Sequence, residues 1–462
     1  VSVAEQQQQG QSLFRGELRA MTFGLVLVIT LVAFEALAVA TVLPAIEEEL
    51  GGLRIYGWAF SGFLLASLVG ITWAGGECDA RGVVRPFVLG LTLFGIGLVV
   101  AGAAPAMWVV VVGRCIQGLG AGAVPAVVYV VIARAYENSM RPRLFALMSS
   151  AWVIPGLAGP AIAGAVAEYA HWRLVFAGLL PLLVIASVLT LPALRRVPHA
   201  AEVVPARGDR QTARSVQLAA GAALILGGLT SGEWWLAASG LLAGGLIAVP
   251  ALRLLLPAGT LVSARGMPAG IMGMGLLNMG FFGAEAFVPF IVTDVREQST
   301  LVAGAVLASV TMTWTSGSWL LERLSGRVER RSFVAVGVAL VVVGVGSMTV
   351  ILSESVPVWW AMVAWGISGL GMGMAYTSYS LIVLAGAAPG EEGVASASLK
   401  LNEVLGAALG AGGVGALVAV GDAGGWRVEA LGTGFGLMCV VLLVGLSMAV
   451  RLGTNAEHGV VQ

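Results

Sequence analysis

Gly113-Arg114-Cys115-Ile116-Gln117-Gly118-Leu119-Gly120-Ala121-Gly122 sets one arginine in a run that is otherwise apolar, small or neutral. An ionised group inside a bilayer is costly, so it needs a partner, a water-filled cavity or a function. A second copy of the pattern follows as Ser368-Gly369-Leu370-Gly371-Met372-Gly373, and there Trp365 stands where Arg114 would. A duplicated scaffold that carries a charge in one half only points to a transporter whose halves have diverged in role.

The composition around this stretch agrees. Apolar residues make up 58% of the chain, charged residues 11%, and the mean hydropathy is +0.93. A soluble domain is nearer a quarter charged. The apolar residues fall in blocks of about 18 to 28, each enough to cross a bilayer roughly 30 Å thick. They do not alternate as the strands of a transmembrane barrel must. The first block, from Met21 to Ala45, is too long for a signal-peptide core and reads as a retained helix. Cys78, Cys115 and Cys439 have no metal-ligand spacing, so no metal and no disulfide framework is expected. No cofactor motif and no nucleic-acid-binding feature is expected either.

Fourteen membrane-spanning helices are predicted, in an all-α polytopic fold. They fall near 20–45, 56–76, 86–104, 107–135, 144–168, 172–194, 215–232, 234–252, 267–293, 300–321, 332–352, 356–386, 393–420 and 426–450. With the N-terminus in the cytoplasm, nineteen arginines fall on the cytoplasmic side, and only Arg54, Arg173, Arg296 and Arg427 fall outside. This bias follows the positive-inside rule and places both termini in the cytoplasm of a multi-pass protein of the plasma or inner membrane. Trp58, Trp108, Trp172, Trp234, Trp359 and Trp426 lie near the outer ends, where amphipathic rings favour the interface.

Gly118 and Gly369 are 251 residues apart, as are Gly159 and Gly410, while Glu35 and Glu285 are 250 apart. One offset relates the first, fourth and fifth helices of two halves, so two six-helix bundles facing a midplane cavity are expected. The segments are a cytoplasmic tail (1–19), the first bundle (20–194), a linker (195–214), a two-helix insert (215–255), the second bundle (266–451) and a short tail (452–462).

These features resemble the major facilitator superfamily, specifically its fourteen-helix drug/proton antiporters, over nearly the whole chain. The fourth-helix motif is Arg114-x-x-Gln117-Gly118-x-Gly120. Gly156-x-x-Gly159-Pro160-x-x-Ala163-Gly164 resembles the antiporter motif of exporters. Gly75 to Arg85 matches the family's loop at Gly75, Asp79, Gly82 and Arg85, although Ala80 stands where an arginine is usual and Arg81 is next to it. His171-Trp172-Arg173 with Phe176 and Pro181 resembles the start of the sixth helix. The resemblance implies a gating loop at Gly75, Asp79, Arg81, Gly82 and Arg85, where a carboxylate can meet an opposing helix N-terminus or an arginine and latch one state. It also implies that Gly156, Gly159, Pro160 and Gly164 form a hinge or seal; tight helix packing is the plainer alternative.

Glu35 is the leading candidate for coupling, with no polar neighbour in Phe34-Glu35-Ala36. Helix rise places it at a depth similar to Arg114, so the two can face one cavity or form a static pair. A carboxylate whose surroundings change with conformation can take a proton in one state and release it in the other. Glu285, amid Phe281, Phe282 and Phe287, is read as the matching acid, suited to a cation through charge and ring faces. Lys400 and Glu403 form either a self-neutralising i,i+3 pair or an inner proton relay. The resulting expectation is a multidrug-type secondary exporter of amphipathic, cationic small molecules. It would be driven by proton antiport, work by alternating access, and function as a monomer whose partners are substrate, protons and lipid. The alternatives are a dedicated exporter of one product, such as a self-made antibiotic or a lipid precursor, and, from another class, a membrane sensor or enzyme.

Overall fold

A computed structural model describes residues 18–137, 140–197, 205–324, 327–387 and 392–452. The described residues fold as helices: α1 (Leu18–Leu50), α2 (Tyr56–Arg81), α3 (Val84–Gly102), α4 (Met107–Ala135), α5 in two pieces (Arg141–Ser150 and Val153–Tyr169), α6 (Arg173–Leu194), α7 (Pro205–Thr230), α8 (Trp234–Leu255), α9 (Met267–Glu285), α10 (Thr300–Leu324), α11 (Arg330–Met348), α12 (Trp360–Ala385), α13 (Glu392–Gly424) and α14 (Arg427–Met448). Twelve of the helical spans are long and apolar enough to cross a membrane. Large side chains such as Val99, Val184, Val188, Leu242 and Leu246 stay exposed on their outer faces. Apolar surface on this scale needs lipid rather than water around it, and the protein is a multi-pass integral membrane protein.

The helices run alternately between two ends of the molecule. The terminal end holds the start of α1 and the close of α14; the opposite end holds the α1–α2, α3–α4 and α13–α14 turns. Helices α1 to α6 pack mainly on one another, and α9 to α14 do the same. The α7–α8 pair packs on itself and, through α7, on α2 and α13 of the two clusters.

Glycines set the spacing inside each cluster, and their contacts recur. Gly70 of α2 lies against the Leu119 carbonyl of α4, and Gly317 of α10 lies against the Leu370 carbonyl of α12. Gly97 of α3 meets Gly113 of α4; Gly344 of α11 meets Ala364 of α12. A Cβ at any of these glycines would collide with backbone, so the contacts define the register between helices. The offset is 247 residues on the α2/α10 and α3/α11 side and 251 on the α4/α12 side. The second cluster therefore carries four extra residues between Gly344 and Ala364, across the connection from α11 to α12.

Several expected helix ends move. α1 continues to Leu50 rather than ending near 45, and α2 continues to Arg81, so most of the expected gating loop is helix. The expected linker 195–214 is helical from Pro205, as the first part of α7. The helix expected over 267–293 is interrupted. α9 stops at Glu285, Val288–Phe290 form a single helical turn, and Ile291–Val295 form a π-helical segment. Pro289 causes this break, because it has no N–H to offer the Glu285 carbonyl.

Candidate functional site

The two clusters meet along a seam that starts at the opposite end. There Gly57 of α2 sits against Gly415 of α13, with an ideal Cβ 2.9 Å from the Gly415 Cα. Ser61 Oγ donates to the Ala408 carbonyl at 2.8 Å. Tyr56 Oη donates to the Ala286 carbonyl at 3.4 Å, and its ring packs on Phe287 and Phe290. On the other flank Gly164 meets Thr300 and Gly304 meets Pro160, while Glu168 accepts the Leu301 N–H at 3.2 Å. The seam reaches mid-height where Gly156 lies against Thr311. Toward the terminal end, Tyr129, Trp152 and the Lys400 side chain are about half exposed.

The antiporter-like motif thus divides in two. Gly156, Pro160 and Gly164 face α10 of the other cluster, while Gly159 faces Phe34 of α1 at an ordinary 3.5 Å. Only Gly156 and Gly164 lack room for a side-chain carbon. In the fourth-helix motif, Gly118 abuts Phe63 of α2 and Gly120 abuts Gly90 and Phe94 of α3. Gly118 brings α4 close enough to α2 for one arginine to bridge three helices. The Arg114 guanidinium pairs with Glu35 of α1, donates through Nε to the Ala59 carbonyl of α2 at 3.2 Å, and lies 4.0 Å over the Phe63 ring. Its Nη1 also donates to Gln117 Oε1 at 3.0 Å. Both members of the ion pair are buried, at 3% and 0% exposure. Glu35 Oε2 and Gln117 Nε2 keep no hydrogen-bond partner.

The second cluster fills the equivalent place differently. Trp365, 251 residues after Arg114, stacks on Phe281 with ring centroids 5.0 Å apart and planes 15° apart. Phe281, not Glu285, therefore occupies the position that Glu35 holds, and the expected pairing of the two acids is corrected by one turn. The four residues from Phe281 to Glu285 span about 6 Å of helix. That displacement carries Glu285 toward the opposite end, onto the last residue of α9 beside the Tyr56–Ala286 contact. Glu285 is 9% exposed, and among the described residues it has no ion pair or hydrogen bond. Trp365 Nε1 and Ser368 Oγ, also buried, likewise lack a partner.

The gating-loop residues close on their own cluster. Asp79 pairs with Arg134 of α4 at 2.7 Å. Arg81 and Arg85 both pair with Glu77, at 2.9 and 2.6 Å. An ideal Cβ at Gly75 has nothing within 4 Å among the described residues, and Gly82 ends α2 with φ of 81°. The sequence does not single out Glu77, because one acid in Gly76-Glu77-Cys78-Asp79 looks as plausible as the other until helix phase is known. Nor does it single out Glu49, which receives Trp172 Nε1 at 2.7 Å and Arg173 at 2.5 Å, tying α1 to α6 at the opposite end. Lys400 pairs with Glu403 at 2.6 Å, and the Tyr376 hydroxyl donates to the other carboxylate oxygen at 2.9 Å. The ring of Trp314 links Tyr376, 5.6 Å away, to Phe281, 5.8 Å away.

The chain is similar to known transport proteins over most of its length. The "Probable multidrug-efflux transporter" of Mycobacterium tuberculosis is 25% identical over 394 residues, covering 82% of this chain and 83% of that protein. The methylenomycin A resistance protein of Bacillus subtilis is 24% identical over 437 residues, covering 91% of each. Among solved structures, a peptide transporter bound to alafosfalin superposes with a TM-score of 0.70 over 98% of this chain and 99% of that one, at 15% identity, a likeness of fold alone. The family model described as Major Facilitator Superfamily matches residues 25–411. With that match spanning most of the chain, the protein belongs to the Major Facilitator Superfamily and is a secondary transporter of small molecules.

Proposed function

We propose that the protein is a proton-coupled exporter of amphipathic, cationic small molecules, built as two six-helix bundles with α7–α8 inserted between them. The observation that carries this reading is Glu285. A carboxylate buried without a partner is costly unless it holds a proton or a cation, and this one sits where a helix breaks beside the seam. Ions and substrates of secondary transporters bind at such discontinuous helices. Opening the seam at the opposite end would bring water to Glu285 and let a proton enter; closing it would present the carboxyl to cargo from the terminal end. Phe281, Phe282 and Trp314 supply the ring faces that an apolar cation favours. Glu35 is the second acid of the pathway through its free Oε2, and Arg114 sets its charge.

The contacts described above fit a carrier closed at the opposite end. With the arginine bias placing the terminal end in the cytoplasm, this is the inward-facing state. Among the described residues Asp79 makes no ion pair or hydrogen bond across the clusters and rests on Arg134 instead. A transport assay tests the reading: efflux of a fluorescent cation from proteoliposomes under an imposed pH gradient. Wild type is expected to pump, Glu285→Gln to lose the response to pH, and Glu35→Gln to weaken it. Wild-type transport that ignores the pH gradient would refute proton antiport.

The likeness to a single-antibiotic resistance protein, over 91% of both chains, favours a second reading, a dedicated exporter. Expressing cells that resist one compound but not several unrelated cationic dyes would select it.

A further inference from the structure

At the terminal end, a cavity of about 540 Å³ lies where α7, the α8–α9 connection and the start of α13 come together. One side is polar, with Arg210, Gln211 and Arg214 of α7; the other is apolar, with Leu254, Leu256 and Val394 among its lining. Arg210 and Arg214 are one turn apart and so share a helix face. Neither has an ion pair or hydrogen bond among the described residues, whereas Arg81, Arg85, Arg134 and Arg331 at the same end are each paired with an acid. Two guanidiniums with no partner among the described residues, beside an apolar wall, match neither a free anion nor an apolar ligand alone. They match an amphiphile whose phosphate lies at the headgroup level and whose chain lies along exposed leucines such as Leu254. Arginine forks bind phosphate oxygens in pairs, and basic pockets between membrane helices hold anionic headgroups.

We propose that this cavity binds the phosphate headgroup of an anionic phospholipid, and that the two-helix insert provides it. The lipid would bridge the insert to α13 of the second cluster. This site is independent of the transport reading, since none of its residues takes part in it.

Native mass spectrometry of the full chain, released from detergent after incubation with phosphatidylglycerol or phosphatidylcholine, tests the proposal. Wild type is expected to retain one phosphatidylglycerol and not phosphatidylcholine. The double variant Arg210→Gln/Arg214→Gln is expected to bind about thirtyfold more weakly, from the loss of two arginines at an anionic surface. Arg210→Lys/Arg214→Lys keeps the charge and should keep most of the binding, and Arg330→Gln, on α11, should bind as wild type. Equal retention of both lipids, or an unchanged adduct in the double glutamine variant, overturns the proposal. Full displacement of the lipid by millimolar inorganic phosphate would reassign the cavity to free phosphate and overturn it as well.

Discussion

The two clusters share glycine contacts yet solve the same position in opposite ways. In the first, α1 and α4 are joined by a buried Glu35–Arg114 pair; in the second, α9 and α12 are joined by the Phe281–Trp365 stack. The first half neutralises its acid internally. The second half has no buried cation there, and its acid has moved one turn along to the broken end of α9. A matched ion pair is a poor place to exchange a proton, because each charge stabilises the other; an unmatched carboxyl at a seam is a good one. Under the proposed mechanism, the asymmetry that Trp365 announces in the sequence is a division of roles: Glu285 is the principal exchanging acid, and Glu35, held by Arg114, has a secondary part.

The largest effect expected from breaking this contrast is functional. Glu285→Gln should abolish pH-driven transport while the folded yield stays near wild type, because a neutral amide suits that unpartnered site. Removing Arg114 should act on stability first. Arg114→Met leaves Glu35 buried and alone, at a cost of about 3–5 kcal/mol, visible as a fall in Tm; Glu35→Gln added to it should restore much of the loss. The equivalence of the two positions can be sharpened by transplanting the pair. Trp365→Arg and Phe281→Glu should each destabilise the protein alone, and the double variant should be more stable than either, by thermal denaturation.

Smaller effects belong to the seam. Gly156→Val should overpack the contact with Thr311 by about 1–3 kcal/mol and shift the population toward an open opposite end. Faster maleimide labelling of a cysteine placed at Ser61, with the native cysteines replaced, would report it. Gly159→Ala, whose new carbon meets Phe34 at 3.5 Å, should be tolerated, with up to about 1 kcal/mol gained from helix propensity. Arg134→Gln should cost less than about 1 kcal/mol, since its partner Asp79 is 65% exposed.

Much of this is legible before the fold. Block lengths give the twelve long apolar spans, and Gly118, Gly120 and their copies give the tight packing of α4 and α12. Arg114 announces a buried charge, and helix rise alone puts Glu35 at its depth. The register between halves is not legible. The 250-residue spacing of Glu35 and Glu285 looks like the 251-residue glycine spacing, but four residues added near the α11–α12 connection mean that α9 must be matched by a smaller offset. Side-chain contacts, not spacing, reveal that Phe281 is the counterpart. Nor does the sequence choose between Glu77 and Asp79, because a change of two residues turns a helix by more than half a circle. The break of α9 is written in Pro289, although proline is tolerated in many membrane helices.

Exchange of a proton for cationic cargo at Glu285 is tested most directly by proton release on binding, with purified protein in weakly buffered detergent, a pH-indicator dye and a saturating dose of a transported cation. Wild type and Glu35→Gln are predicted to release protons on binding, and Glu285→Gln to release none. Release from Glu285→Gln equal to that of wild type would contradict the account.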